Sequence, residues 1–311
     1  MSGTYKAVGI NLKSSPIGEA DRLLTVLTEE YGLLRAVAPG SRKHKSSLGG
    51  RSSLFVVNQL LIAKGRTLDK IVQAETLESF PGISQNLCKL TAAQYLAELT
   101  LFQALSEHNQ KELFCLLREH LGRIEQFSAD YTLPSLTHAT FHLLALAGLT
   151  PQLYVCGITQ RPITAETLDQ EPVGFSVAAG GTIRLNQLDR FKPAPPIPAR
   201  ARVATAATQY QTEPSPRERL PKSPDLLVPL DAIDLTLLQQ LTQPHLIENL
   251  IETRADLLAP HHQKHWLTIE RALRHYAQYH FDRPIRSATL IDACFPSVDA
   301  PFPRVNHDAI V

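Results

Sequence analysis

The stretch Ser41-Arg42-Lys43-His44-Lys45-Ser46-Ser47-Leu48-Gly49-Gly50-Arg51 mixes cations with small, flexible residues. Small residues let backbone amides and side chains approach an anion closely, and clustered Lys and Arg neutralise phosphates and release their counterions. The chemistry on offer is an electrostatic grip on a nucleic-acid backbone, not bond making. The loop lies inside a longer span, residues 31–68, that holds no Asp or Glu but carries Arg35, Arg42, Lys43, Lys45, Arg51, Lys64 and Arg66. Three neighbouring cations alone would read as a solvated loop. The missing acids over the whole span favour nucleic-acid binding through these seven residues.

A second group invites different chemistry. His261-His262-Gln263-Lys264-His265 sets two histidines four residues apart, the spacing at which one helix face can hold a metal ion. The zincin pattern needs Glu where His262 stands, so no general base is supplied; solvated or capping histidines are expected, and no metal. The sequence contains neither a glycine-rich loop ending in Gly-Lys-Ser/Thr nor a Gly-x-Ser-x-Gly elbow. Cys88, Cys115, Cys156 and Cys294 form no CxxC pair and read as reduced, mostly buried thiols. No catalytic residue is assigned, no cofactor is expected, and an enzyme is not expected. Base stacking has little to stand on, since the first 78 residues contain only Tyr5, Tyr31 and Phe55 as aromatics, and Phe55 in its apolar run reads as core filler.

A compact β module is needed to position the basic loop. Residues 6–13 alternate, with Val8, Ile10 and Leu12 on one face and Ala7, Gly9 and Asn11 on the other, the period of a half-buried strand. Apolar runs at 22–28 and 33–38 flank the turn signal Tyr31-Gly32 and read as a hairpin; 54–63 and 69–77 follow the basic loop. Five short strands in under eighty residues predict a closed barrel of the OB type.

At Pro81-Gly82 the period changes to that of helices. Ser84 is a candidate cap for a helix over 84–106, and Asn109 for another whose stripe is Leu113, Leu116, Leu117, His120, Leu121 and Ile124. Residues 135–149 are apolar on almost every side, which predicts the most deeply buried helix. Residues 151–191 are loop-rich with room for short strands, and nine prolines over 192–229 predict an exposed linker. Helical patterning resumes at Asp231. Trp266, Ile269, Leu273, Tyr276, Ala277 and His280 share one helix face, Pro284 stops that helix, and 287–295 reads as a closing helix. The fold class is therefore α+β: a five-stranded OB-type barrel (1–80), then a mainly helical domain (81–150 and 230–295) interrupted by the loop-rich subdomain and the linker, with a tail at 296–311.

Formal net charge is +1, but it is unevenly placed: residues 69–190 carry thirteen acids against eight Lys or Arg. No eighteen-residue apolar run exists to cross a bilayer, and the first residues lack an apolar signal core, so a cytoplasmic protein with no membrane partner is expected.

Several stretches together resemble the bacterial RecO recombination-mediator family. They are Asp21-Arg22-Leu23-Leu24-Thr25, Tyr31-Gly32, Pro39-Gly40-Ser41-Arg42-Lys43 and Ser46-Ser47-Leu48, with Arg271-Ala272-Leu273-Arg274-His275-Tyr276, His280 and Arg283-Pro284-Ile285-Arg286-Ser287 near the end. The likeness covers most of the chain outside the Pro-rich segment. It implies an OB-fold and a helical domain, binding of single- and double-stranded DNA, annealing of complementary strands, and help in loading RecA onto SSB-coated DNA. RecR and the acidic SSB C-terminal tail are the implied partners, with RecA engaged indirectly. Many members of the family carry a four-cysteine zinc site. Here Cys156 stands alone after Pro151-Gln152-Leu153, with Thr159, Arg184 and Gln187 at the other ligand positions, so the loop-rich subdomain resembles a zinc ribbon that has lost its ligands and zinc is not expected.

The leading expectation is a non-enzymatic DNA-repair mediator. A protein that neutralises backbone charge without claiming base edges leaves those edges free to pair, which suits annealing. An RNA-binding OB module of the translation or RNA-processing type is the alternative, and a metal hydrolase built on the histidines is the third. Arg271, Arg274, Arg283 and Arg286 form a second candidate DNA surface. Lys111, Arg118 and Arg123 are candidates for a helical cleft that takes the SSB tail, chosen from charge alone.

Overall fold

The computed structural model describes residues 3–190 and 227–296. Strands β1 (Thr4–Ile17), β2 (Asp21–Thr28), β3 (Gly32–Ala38), β4 (Val57–Ala63) and β5 (Asp69–Glu78) close into a barrel in the order β1-β2-β3-β5-β4. Neighbours pair antiparallel except β3 and β5, whose short parallel contact, Ala36 opposite Asp69 and Val37 opposite Lys70, completes the ring. This is the expected five-stranded OB-like barrel. Two bounds differ from the sequence pattern. β1 continues to Ile17, pairing with β4 along its first half and β2 along its second, and shifts register between Asn11 and Lys13. β4 begins at Val57, because Phe55 adopts a positive φ of 62° and reverses the chain just before it.

The alternation in β1 also resolves differently. The expected half-buried strand is covered on both faces. Ala7, Gly9 and Asn11 point into the barrel, whose core is Ala7, Leu24, Val26, Ala36, Ala38, Leu60, Ile62, Ile71 and Ala74. A side chain at Gly9 would meet Val26 Cγ1 at 2.5 Å, so only glycine fits there. Ile10 and Leu12 face outward and join Leu27, Phe55 and Val57 in one continuous core with the helices. The barrel thus has a private core and an apolar outer face bound to the rest of the molecule.

The expected helix over 84–106 is two: α1 (Pro81–Gln85) and α2 (Leu87–Gln103). Asn86, not Ser84, is the cap of the long one, its Oδ1 accepting from Lys89 N–H at 3.0 Å, while Ser84 Oγ donates to Pro81 O. α3 (Lys111–Gln126) buries the expected stripe and also Phe114, with Leu116 only half-covered. α4 starts at Thr132, earlier than the apolar pattern suggested, because Pro134 lies in the first turn, where its missing N–H costs nothing. Twelve of its fifteen residues (Thr132–Leu146) are buried. Packed against α2, α3 and two helices later in the chain, it is the expected centre of the bundle.

Gly32 ties the two parts together. Its φ is +64°, and a Cβ there would lie 2.1 Å from Leu105 O; Leu33 N–H donates to that same carbonyl at 2.8 Å. The β2–β3 turn is therefore seated on the segment between α2 and α3.

The loop-rich subdomain holds α5 (Ala165–Gln170), β6 (Val173–Ser176) and β7 (Gly181–Arg184). Its third strand, β8 (Leu227–Leu230), comes from the far side of the Pro-rich segment and gives the order β7-β6-β8. Most of the expected linker, 192–226, lies outside the described residues, as does the tail from 297. Residues 227–229 are strand, not linker; Pro229 is tolerated because β8 is an edge, where one side of the strand needs no partner. The chain then forms α6 (Ala232–Gln240), α7 (Leu246–Glu252), α8 (Gln263–Phe281) and α9 (Ala288–Cys294). α8 ends one step before Asp282, which takes the left-handed conformation, two residues ahead of Pro284. None of the described helices is long and apolar enough to cross a membrane.

Candidate nucleic-acid interface

The basic loop between β3 and β4 is a chain of tight turns. Lys43 N–H donates to Gly40 O, Ser46 N–H to Lys43 O, Gly49 N–H to Ser46 O and Ser52 N–H to Leu48 O, all within 2.9–3.2 Å. Leu48 plugs the barrel core from above. Buried Asn11 and Asn58 both donate to Arg51 O, at 2.8 and 2.9 Å, and Asn11 also donates to Ser53 O. At its near end the loop is joined to the β1–β2 turn: Gly40 N–H donates to Asp21 Oδ1 at 2.7 Å, Arg42 N–H to Ala20 O at 2.9 Å, and the Arg42 guanidinium to Gly18 O at 3.2 Å. Polar residues expected to be flexible are therefore fixed by a leucine plug and two buried amides.

This scaffold presents Arg42, Lys43, His44 and Lys45 to solvent. Arg51 is half-buried and turned back, its guanidinium donating to Ser47 O, so it organises the loop more than it projects from it. Arg35 is exposed on the outer face of β3. The register places Lys13 and Arg35 on either side of Thr25, which makes a cationic row across β1, β2 and β3. Arg22, whose guanidinium donates to Ser52 Oγ at 3.1 Å, extends the positive ground beneath the loop. Lys13 and Arg22 were missed from sequence because both precede the acid-free span; the strand register is the signal that would have found them.

Lys64 and Arg66 are not brought to the loop. They lie on the β4–β5 turn, where Gly65 N–H donates to Asp69 Oδ1 at 3.0 Å, and Asp69 stands opposite Ala36 at the β3–β5 contact. Of the seven cations read as one site, Arg42, Lys43, Lys45 and Arg51 belong to the β3–β4 loop, Arg35 to β3, and Lys64 and Arg66 to the β4–β5 turn next to Arg35's end of the β3–β5 contact.

The second candidate surface is divided as well. Arg274 is buried in the helical core, with Glu270 at 2.7 Å and both oxygens of Asp292 at 2.9 Å. It holds α9 on α8 and offers DNA nothing. Burial pushes the Glu270 carboxyl up, and Arg274 opposes it. Arg271 lies 3.7 Å from Asp292, the Arg283 guanidinium stacks over the Phe102 ring, and Arg286 N–H donates to Glu98 at 2.7 Å. The cations chosen for an acidic tail are all paired: Lys111 with Glu29 at 3.2 Å, Arg118 with Glu78, and buried Arg123 with Glu119 at 2.7 Å and Glu248 at 2.5 Å. The cleft that Arg118 and Arg123 border, which Lys111 does not line, also carries Glu78, Glu119 and Glu248, more carboxylates than Lys or Arg, which is poor ground for an acidic peptide.

Of the four free cysteines only Cys156 is buried, against the expectation that most would be. Its sulfur accepts from the backbone N–H groups of Thr159 and Arg184, each at 3.4 Å, two of the three positions where the other ligands would stand in a zinc ribbon. Burial pushes the thiol up, but these hydrogen bonds outweigh it and hold it below the ordinary value. The Arg184 side chain pairs with Glu171 and donates to Pro162 O, so hydrogen bonds and an ion pair bind together what metal ligands would.

The histidines at 261–265 are neither mainly solvated nor on one helix face. His262 and His265 are buried, and the group splits between two sets of aspartates, Asp256 with His261 and His262, and Asp231 and Asp234 with His265.

Comparison with known proteins places this geometry in a family. Residues 1–80 match the model for the N-terminal part of recombination protein O, and residues 84–188 that for its C-terminal part. The chain is 48% identical to the DNA repair protein RecO of a Nostoc species, over all of both chains. It is 52% identical to that of Gloeothece citriformis, covering 95% of this chain and 99% of the other, and 42% identical to that of Synechococcus elongatus, covering 94% and 96%.

Proposed function

The chain belongs to the RecO family of DNA repair proteins, and from that premise we propose that it holds DNA by its backbone phosphates on the loop end of the barrel. It binds single and double strands there, anneals complementary strands and helps RecA load onto SSB-coated DNA, without catalysing a covalent step. RecR and the SSB tail are its partners, and its place is the cytoplasm. The observation that supports this reading is the pinned loop with Arg42, Lys43 and Lys45 exposed, adjoining the outer row of Lys13 and Arg35. A rigid cationic ridge lowers repulsion between two strands while leaving base edges uncovered, and the scarcity of exposed aromatics nearby argues against base reading.

Annealing of SSB-coated complementary strands is the test. The double reversal Lys43→Glu and Lys45→Glu spares Arg42 and its bond to the β1–β2 turn. It should abolish most annealing and reduce the slope of log K against log salt by about 2, one per lost phosphate contact. Unchanged annealing would move the interface off the loop. Tighter binding to matched RNA than to DNA would favour the RNA-binding alternative.

A further inference from the structure

Asp256, His261 and His262 lie on two successive tight turns that lead into α8. Ala259 N–H donates to Asp256 O at 2.7 Å, His262 N–H to Ala259 O at 2.9 Å, and the Trp266 indole N–H to Leu257 O at 2.8 Å. These bonds fix the backbone that carries all three side chains. One carboxylate oxygen, Asp256 Oδ2, sits 3.2 Å from His261 Nε2 and 3.1 Å from His262 Nε2. The Asp256 and His261 side chains are 74% and 63% exposed, whereas His262 is packed against the protein. One ligand is anchored and two face water.

We propose that Asp256, His261 and His262 form a surface site for a borderline divalent cation of the zinc or nickel type. Two imidazole nitrogens and one carboxylate suit such ions and not magnesium or calcium, which take oxygen ligands. The 3.1 and 3.2 Å separations approach the roughly 3.3 Å expected between atoms that each lie about 2.0–2.1 Å from zinc in a tetrahedron. The open side leaves a position for water, so the ion exchanges with solvent, unlike the closed four-ligand ion of a structural zinc ribbon. The neighbouring set is different. His265 Nδ1 meets Asp234 Oδ1 at 2.9 Å, but Asp231 and Asp234 are engaged in the reciprocal cap of α6, with Asp231 Oδ1 accepting from Ile233 and Asp234 N–H and Asp234 Oδ2 from Asp231 N–H. That set is a closed helix cap tied to α8.

Helix spacing did not reveal this site, because His261 lies outside α8 and its metal partner is the adjacent His262 rather than His265, four residues on. The site is independent of the DNA-binding reading.

The test uses the untagged full chain, stripped of metal and titrated with zinc chloride by calorimetry and with cobalt chloride by visible absorption. One equivalent of zinc should bind, and cobalt should give the intense visible bands of low-symmetry coordination. His261→Gln and Asp256→Asn, both exposed, should each weaken zinc binding by at least about tenfold, no less than loss of an outer-shell partner costs, without changing the metal-free melting temperature. Binding should weaken as acid is added, because protons compete with the ion for the imidazole nitrogens. Absence of binding at millimolar zinc, or binding that survives both substitutions, overturns the assignment. So does binding lost in Cys156→Ser, which would put the ion in the loop-rich subdomain.

Discussion

At the loop end of the barrel Arg42, Lys43 and Lys45 stand exposed on a pinned loop, whereas in the helical domain Lys89, Arg123 and Arg274 are buried. Lys89 Nζ donates to Glu125 O and Phe127 O at the end of α3; Arg123 and Arg274 each meet two carboxylates. The residue types are alike; Lys89 is held by carbonyls, and for Arg123 and Arg274 what differs is the local supply of acids. Glu119 lies one turn before Arg123 and Glu270 one turn before Arg274, the spacing at which helical side chains meet. The loop has no acid of its own. Available charge is therefore found where the sequence offers a cation no nearby partner, and a cation among acids becomes part of the framework.

The sharpest way to break this contrast is Arg274→Ala. Glu270 would be left buried with its charge uncompensated, which costs about 3–5 kcal/mol. Chemical denaturation should show that loss, while the salt slope of DNA binding stays as it was. A stable Arg274→Ala protein with weakened DNA binding would reverse the roles assigned to the two regions.

Leu48→Ala tests the other side. The plug is nearly buried in the barrel core, and its truncation should cost about 2–3 kcal/mol. DNA affinity should fall although every cation remains, because the loop loses the fixed shape that presents them. Unchanged affinity would mean that charge suffices and the pinning is incidental.

Much of this was legible in the sequence. The five strand runs and the acid-free loop follow from period-two patterning and composition, and the Glu–Arg spacings on α3 and α8 were there to be used. Charge alone was the wrong guide for Arg123 and Arg274, since a count of cations ignores which ones have a carboxylate one turn away. Lys13 needed the register between β1, β2 and β3, which pairs residues distant in sequence and leaves no local mark. β8 was hidden because its proline argues against a strand until its position at the sheet edge is known. The Asp256 site was hidden because 3₁₀ turns bring together residues that helical spacing keeps apart.

The helical region should also be the more acid-sensitive of the two. Buried His120 and His138 and half-buried His142 form a group between α3 and α4, with ring centroids 4.1–5.6 Å apart. Arg123 donates toward His120 Nδ1 at 3.4 Å, His120 Nε2 meets His142 Nδ1 at 3.2 Å, and His138 Nε2 donates to Gln243 O at 2.8 Å. Burial, with help from neighbouring imidazoles and Arg123, pushes all three down, His138 to about 3. Because the folded values lie below the unfolded 6.5, these groups contribute stability above pH 6.5 that is lost as pH falls. At pH 5.5 His138 alone should cost about 1 kcal/mol relative to neutral pH. His138→Gln should flatten the stability profile between pH 7 and 5. A profile that keeps its slope would place the acid sensitivity elsewhere.

The smallest effect is expected where the two regions meet. Lys111 on α3 reaches Glu29 at the β2–β3 turn, 3.2 Å away, but its side chain is 65% exposed. An exposed pair of this kind contributes about 0.2–1 kcal/mol and is screened by salt. The apolar contact of Ile10, Leu12, Leu27, Phe55 and Val57 with the helical core is continuous and buried. Lys111→Ala should therefore lower stability by no more than about 1 kcal/mol at low salt, and by nothing measurable at 1 M salt. It should leave the barrel and helices unfolding in one transition. A split into two transitions would mean that charge, not the shared apolar core, holds the barrel to the helical domain, and the contrast between exposed and engaged cations would then fail at the boundary between them.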